Sequence, residues 1–337
     1  MNYQLYLVIS ILISFYLFKN YRSLFKKFIK IDKQNLNYSF KPTPTGAGII
    51  FLIIFLLGNI IFTILRDDFL INIPNRYYLF LSSLILITLI SFLDDRKSID
   101  PLFRLFAHIL LVYLAISSLK LNLIYLPDKL TFLLAVLIWI YILNIINFID
   151  GTDGFLTTNF IFFCISIIAL KHLFNFDLFS YEIAILCLPF CLVFLIFNKP
   201  PAKLFMGDAG SIFLGFLSGF FFLELIIYGK WNIAISLLSY SLVDCTICLL
   251  LKLKKGIMPW VGIYDYFFLK PVLKNKKNHF NVLFLIIIFS ILNFLIILAQ
   301  EYFKEKFLFI GSISMSLICI FIFNFMESKF KWIKIKK

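Results

Sequence analysis

The sequence predicts an all-α, polytopic membrane protein with about eleven transmembrane helices. Three observations carry that prediction. Hydrophobic residues make up 62% of the 337 positions, and Phe alone supplies 44 of them, well above the roughly 45–50% apolar content of soluble domains. The apolar residues come in long runs, giving a mean hydropathy of +0.97. The basic residues gather in alternate connections between those runs.

A helix needs roughly 17–25 apolar residues to cross the hydrocarbon. Runs of about that length lie near 3–18, 47–65, 77–93, 103–119, 130–149, 155–173, 181–197, 211–228, 231–251, 280–299 and 306–325. The first is long for a signal-peptide core and lacks a basic start or an Ala-x-Ala site, so it reads as a retained helix. There is no internal repeat and no low-complexity linker. A single membrane domain over 1–337, with a long cytosolic loop at 252–279, is the simplest organisation.

The net charge is +14. A basic soluble chain would suggest nucleic acid; here no nucleic-acid partner is expected, because 24 of the 32 Lys and Arg fall in alternate connections. By the positive-inside rule those connections face the cytosol. The N-terminus is then outside and the C-terminal tail inside. The six Cys all lie in apolar runs. Cys245 and Cys248 form a CxxC that reads as packing, since no second pair and no nearby His would complete a metal site.

Polar residues that topology does not explain concentrate in three connections on the predicted cytosolic side. One holds Asp94, Asp95 and Asp100. The second is the string NIINFIDGTDG from Asn144 to Gly154, with Asp150 and Asp153. The third runs from Asn198 through Phe205, Gly207 and Asp208 to Ser211. Asn144, Asn147 and Asp150 are spaced i, i+3, i+6, which places them on one face of a helix end. Amides and a carboxylate at that depth are costly unless they face a wet cavity or a ligand. The neighbouring Asp94 and Asp95 repel unless a cation or hydrogen bonds offset them. Glycines flank Asp208 just before a helix expected to begin near Ser211, an arrangement suited to anion binding. Oxygen ligands without a His cluster suit Mg²⁺-dependent phosphate chemistry. Any one segment alone reads as solvated helix-end charge; three on one face read as a shared site.

These segments resemble the polyprenyl-phosphate N-acetylhexosamine-1-phosphate transferases, glycosyl transferase family 4. The likeness runs in order through KPTPTGAG from Lys41 to Gly48, Leu93-Asp94-Asp95-Arg96, the Asn144–Gly154 string, and LFMGDAGS from Leu204 to Ser211. The resemblance implies transfer of a sugar-1-phosphate from a UDP-sugar to undecaprenyl phosphate, with release of UMP. It implies Asp208 as the principal Mg²⁺ ligand (Mn²⁺ being the alternative ion) with Asn147 beside it. Asp94 or Asp95 would act on the lipid phosphate, Asp150 would join them, and Arg104 would hold a phosphate. Phe205 would stack on the uracil, and Asn144 and Gly151 to Asp153 would contact the nucleotide. Lys41 and the Pro-Thr-Pro loop would border the polyprenyl-phosphate entrance. Membrane lipid is the surrounding partner. Family members are sometimes dimers, so a homodimer is compatible with the resemblance.

The last cytosolic loop departs from the pattern. Family members place a His-rich stretch after a basic segment and a Pro-aromatic pair. Here Lys254 to Trp260 fits the lead-in, but Val261 to Leu269 has no His or Arg, and His279 is the only His of the loop. The run Tyr264 to Phe268 reads as an interfacial element against the membrane. The short loops point to the branch that initiates surface polysaccharides. Asp244 is open between functional and structural roles, Glu224 reads as interfacial, and His108 as a packed, hydrogen-bonded side chain. A secondary transporter and an inactive polyprenyl-phosphate-binding relative are the competing readings. The first is disfavoured by polar clusters at helix ends rather than the midplane.

Overall fold

The computed structural model describes residues 3–26, 30–32, 42–65, 77–117, 128–257 and 266–328. Lys41, and the stretch from Pro259 to Asp265 on which the interfacial reading partly rests, lie outside the described residues. Helices stand at all eleven apolar runs: α1 (Tyr3–Lys19), α2 (Ile49–Leu65), α3 (Tyr77–Asp94), α4 (Pro101–Ile116), α5 (Asp128–Phe148), α6 (Phe155–Phe174), α7 (Ser180–Asn198), α8 (Gly207–Ile227), α9 (Trp231–Lys254), α10 (Asn278–Tyr302) and α11 (Phe309–Ser328). Eight of the helices are long and apolar enough to cross a membrane, while α1, α2 and α4 are apolar but shorter. The fold is therefore that of an all-α polytopic membrane protein. A short antiparallel ladder is added, pairing β1 (Lys30–Asp32) with β2 (Thr43–Thr45).

Several helices begin earlier than hydropathy suggests, and two of these starts have a carboxylate behind them. Asp100 accepts from the N–H groups of Leu102 and Phe103 at 2.9 and 3.1 Å, so α4 opens at Pro101. Proline suits that first turn because its missing N–H is not needed there. α8 opens at Gly207 rather than near Ser211, which puts Asp208 in the first turn of a helix instead of in the preceding loop. α10 likewise opens at Asn278, so His279 is helical. A single turn at Lys270–Lys274 interrupts the long loop.

α8 is the most enclosed of the eight membrane-length helices. Its small residues explain how neighbours approach it. A Cβ on Gly219 would stand 2.1 Å from the Trp139 ring, and one on Gly215 would stand 3.0 Å from the Leu143 carbonyl oxygen. Trp139 then donates its indole N–H to the Phe216 carbonyl at 3.0 Å, tying α5 to α8. Glu224, read from sequence as interfacial, is half-buried and accepts the N–H groups of Phe179 and Ser180 at 2.6 and 2.8 Å. It caps α7, because the helix's first N–H groups need an acceptor inside the bundle. Buried amides join α9 to α10, with Asn232 donating to Gln300 at 2.7 Å and Asn293 to the Ser236 carbonyl at 2.8 Å. All six Cys are buried thiols, in line with the packing role.

Candidate active site

The C-terminal ends of α3 and α5, the start of α4 and the start of α8 converge at one end of the bundle. Arg104, in the first turn of α4, reaches both acidic segments. Its Nη1 donates to Asp94 Oδ2 and, at 3.1 Å, to Asp208 Oδ2. The other oxygen of Asp94 accepts the Ile99 N–H at 2.6 Å, closing the α3–α4 connection. Asp95 points the other way. Its Oδ1 accepts the N–H of Asp208 at 2.9 Å and its Oδ2 the N–H of Ala209 at 3.1 Å. The anion at this helix N-terminus is thus the chain's own carboxylate, which stabilises the partial positive charge there. The site expected from sequence to receive a ligand's anion is filled by Asp95.

The 44–48 segment lines the other side of the same turn. Phe205 donates its N–H to the Pro44 carbonyl at 2.9 Å, Ala47 donates to Phe205 at 3.1 Å and Gly48 to Met206 at 2.8 Å. A Cβ on Gly48 would lie 2.0 Å from the Gly210 nitrogen, so α2 and α8 meet backbone to backbone. Gly207 has φ +70°, and a Cβ there would stand 2.6 Å from Asp95 Oδ2. Phe205 is half-buried beside this turn.

On α5, Asn147 accepts the Ser211 hydroxyl through Oδ1, linking the amide ladder to α8. Asn144 turns its Nδ2 back to the Ile140 carbonyl at 2.7 Å. Asp150 lies just past the helix, and among the described residues its carboxylate makes no hydrogen bond. Burial, then the charges of Asp208, Asp95 and Asp153, raise its pKa well above the ordinary carboxylate range. Burial and then Asp208 push Asp95 up to about 7, even though the two amides pull it down. Four carboxylates with Arg104 among them form an electrostatically under-neutralised cluster.

The 150–154 turn is held from several sides. Asp153 is buried, and its Oδ2 accepts the Ala202 N–H at 2.9 Å. Its own N–H donates to Nδ1 of the buried His279 at 3.1 Å. These contacts tie Asp153 to the 202 segment and to α10, and burial raises its pKa. Asn198 Oδ1 accepts the Gly154 N–H and the Thr157 hydroxyl at 3.1 and 3.0 Å. Gly151 is backed by Phe268, whose ring would lie 3.2 Å from a Cβ there. The chain at Phe268 and Leu269 thus turns inward, with Phe268 fully buried, instead of lying along the membrane surface. His108 is buried as expected, but its Nε2 has no hydrogen-bond partner among the described residues. Ser211, Asn198 and the His279–Asp153 contact were not singled out from sequence. Only the Asn198–Ser211 stretch carried a signal, as a polar run between apolar ones.

Among the described residues no three His, Cys, Asp or Glu side chains form a ready metal cage. Mg²⁺ does not require one, because it is usually held by one or two carboxylates with water and substrate phosphates in the remaining positions. Asp208, 38% exposed at its side chain, with Asn147 and the crowded carboxylates near it, fits that mode.

The family model described as glycosyl transferase family 4 matches residues 77–226. Similar curated proteins are phospho-N-acetylmuramoyl-pentapeptide-transferases. That of Streptococcus agalactiae serotype Ia is 29% identical over 193 residues, covering 51% of this chain and 56% of the relative. That of Buchnera aphidicola subsp. Baizongia pistaciae is 30% identical over 217 residues, covering 53% and 62%. That of Buchnera aphidicola subsp. Acyrthosiphon pisum is 28% identical over 254 residues, covering 62% and 69%. The chain spans little more than half the length of the streptococcal relative it matches. The matched span runs from the first residue of α3 to the last turn of α8, and so contains Asp94, Asp95, Arg104, Asn144, Asn147, Asp150 and Asp208. Across that span the chain is similar to glycosyl transferase family 4.

Proposed function

We propose that the protein transfers a sugar-1-phosphate from a UDP-sugar to undecaprenyl phosphate, giving undecaprenyl-diphosphate-sugar and UMP. The observation that supports it best is Arg104 bridging Asp94 and Asp208. It gathers a cation and carboxylates from three helices at one end of the bundle, where an aqueous nucleotide and a lipid phosphate can meet. Phosphoryl transfer asks mainly for alignment and charge neutralisation, which such a group can supply. The sugar is read as an N-acetylhexosamine, and the product as the start of a surface polysaccharide or cell-wall polymer. The site faces the cytosol, with the N-terminus outside and the C-terminus inside.

In this reading Asp208 and Asn147 would hold Mg²⁺, which when bound supplies positive charge to the diphosphate. Arg104 holds a phosphate oxygen and is itself oriented by Asp94. Asp95 acts through the α8 N-terminus by fixing the Asp208 backbone. Asp150, without amide or cation partner among the described residues and with its pKa raised, is the carboxylate that takes up the proton of the acceptor phosphate. Asn144, Gly151 and Phe205 border the nucleotide, and the 41–48 segment borders the lipid entrance.

The test is direct. Protein purified in detergent is incubated with Mg²⁺, undecaprenyl phosphate and a panel of UDP-N-acetylhexosamines, and UMP is followed. Release with at least one UDP-sugar, dependent on the lipid phosphate, is expected. A folded protein that yields no UMP with any of them refutes the reading.

A further inference from the structure

Asp244 lies in α9, beyond the matched span and apart from the carboxylate cluster, and is wholly buried. A carboxylate enclosed in a membrane helix is costly unless its oxygens are met. Here its own helix meets them in part: the Tyr240 hydroxyl donates to Oδ2 at 2.7 Å and the Cys248 thiol to Oδ1 at 3.3 Å. Those two side chains, one turn to either side, orient the carboxylate. It then receives two consecutive backbone groups from the returning chain, the N–H of Phe267 at 3.2 Å and of Phe268 at 3.4 Å.

What this fixes is the Phe268 ring. It stacks on Phe155 at 4.8 Å between centroids and 30° between planes. It also leaves Gly151 no room for a side chain without displacement. Tyr266 stacks on both Phe268 and Phe148, each at 5.9 Å. The column of rings therefore touches the last residue of α5, the turn itself and the first residue of α6. That turn carries Asp150.

We infer that Asp244 is a positioning residue, which by holding the Phe267 and Phe268 amides sets Phe268 against Gly151 and so fixes the 150–154 turn for the UDP-sugar. The inference rests on the transferase reading above. A carboxylate that only packs α9 would affect stability alone; a positioning carboxylate also affects binding of the UDP-sugar at the turn.

The experiment uses the full chain in detergent. Asp244→Asn and Asp244→Ala are assayed for UMP release while each substrate is varied. The KM for the UDP-sugar rises about tenfold or more, since small displacements at a binding turn have effects of that order, and kcat falls as well because Asp150 stands on the same turn. In parallel, alkylation of Cys248 by iodoacetamide, read by mass spectrometry, rises as the Phe267–Phe268 segment loosens. A UDP-sugar KM within about twofold of wild type, or a Cys248 as protected as in wild type, overturns the inference. Should the Asp244 variants not fold, Phe268→Leu and Gly151→Ala leave Asp244 in place and must raise the same KM; unchanged values in both overturn it. A wild type that releases no UMP refutes the transferase reading instead, and the Cys248 labelling alone then decides whether Asp244 holds the segment.

Discussion

Asp95 receives the backbone N–H of Asp208 at 2.9 Å, so the carboxylate at the end of α3 caps the helix that presents the proposed metal ligand. The adjacent N–H of Ala209 meets its other oxygen. Asp95→Ala removes both acceptors and exposes a helix terminus to unsatisfied N–H groups, a loss of about 1–2 kcal/mol for a cap of this kind. A lower melting temperature in detergent and a higher Mg²⁺ requirement for UMP release are expected. Asp95→Asn, which keeps one acceptor oxygen, falls between. Unchanged melting in Asp95→Ala contradicts the capping role.

The same residue gives a pH dependence whose sign can be worked out. Burial first, and the Asp208 charge second, raise Asp95 from 3.8 to about 7. Asp150 and Asp153 are raised as well. The folded chain therefore holds protons that the unfolded chain releases. The associated stability is present below the unfolded value and is lost as pH rises through the folded one. In EDTA, melting temperature falls between about pH 4 and 7 on this account. Added Mg²⁺ offsets the exposed negative charge, so its stabilising effect is larger at pH 8 than at pH 5. Equal stabilisation at both values counts against a cation-binding carboxylate cluster.

The contact between Gly48 and Gly210 predicts a packing failure. A methyl group on Gly48 has its nearest neighbour in α8 backbone at 2.0 Å, and backbone cannot rotate away as a flexible side chain can. Gly48→Ala must part α2 from α8 or shift the 205–207 turn. Overpacking of this kind costs roughly 1–3 kcal/mol or more, seen as a lower melting temperature or loss of monodisperse protein on size-exclusion chromatography. Gly256→Ala makes a useful contrast. Gly256 has φ +70° but nothing within 4 Å, so only backbone strain opposes that change. Wild-type melting for Gly48→Ala would show that the two helices can separate freely.

Much of this arrangement was legible because hydrophobic length and Lys/Arg placement are one-dimensional signals. They set the order of the helices and put the segments of Asp94, Asp150 and Asp208 on a common side. Which carboxylate meets which partner depends on helix rotation and on where a helix starts. α8 opens four residues before its apolar run because Asp95, more than a hundred positions away, supplies the cap. Asp153 sits in the same motif string as Asp150, yet the turn ending at Gly154, φ +75°, sends it inward to Ala202 and His279. A lone His in a basic loop carries no pattern, so that contact had no sequence signature. The Tyr264–Phe268 run reads as interfacial in the sequence because aromatic residues suit both a membrane surface and a core, and of its described residues Phe268 is buried.

Arg104 offers the sharpest test of the cluster itself. It donates to carboxylates from two helices at once through one nitrogen, Nη1, which a rigid, delocalised guanidinium places differently from a compact, flexibly held ammonium. Arg104→Lys keeps the charge but cannot span Asp94 and Asp208 with the same geometry. UMP release is expected to fall roughly tenfold, mainly in kcat. Asp208→Asn removes the proposed metal carboxylate and leaves Arg104 with Asp94 alone; a fall of roughly 100-fold or more is expected, as for loss of a principal electrostatic group. The double variant separates the roles. If Arg104 acts by holding phosphate independently of Asp208, the two losses multiply. If it acts by orienting Asp208, the double variant is no worse than Asp208→Asn alone. Full activity in Asp208→Asn would remove Asp208 as the metal ligand while leaving the transfer reaction standing.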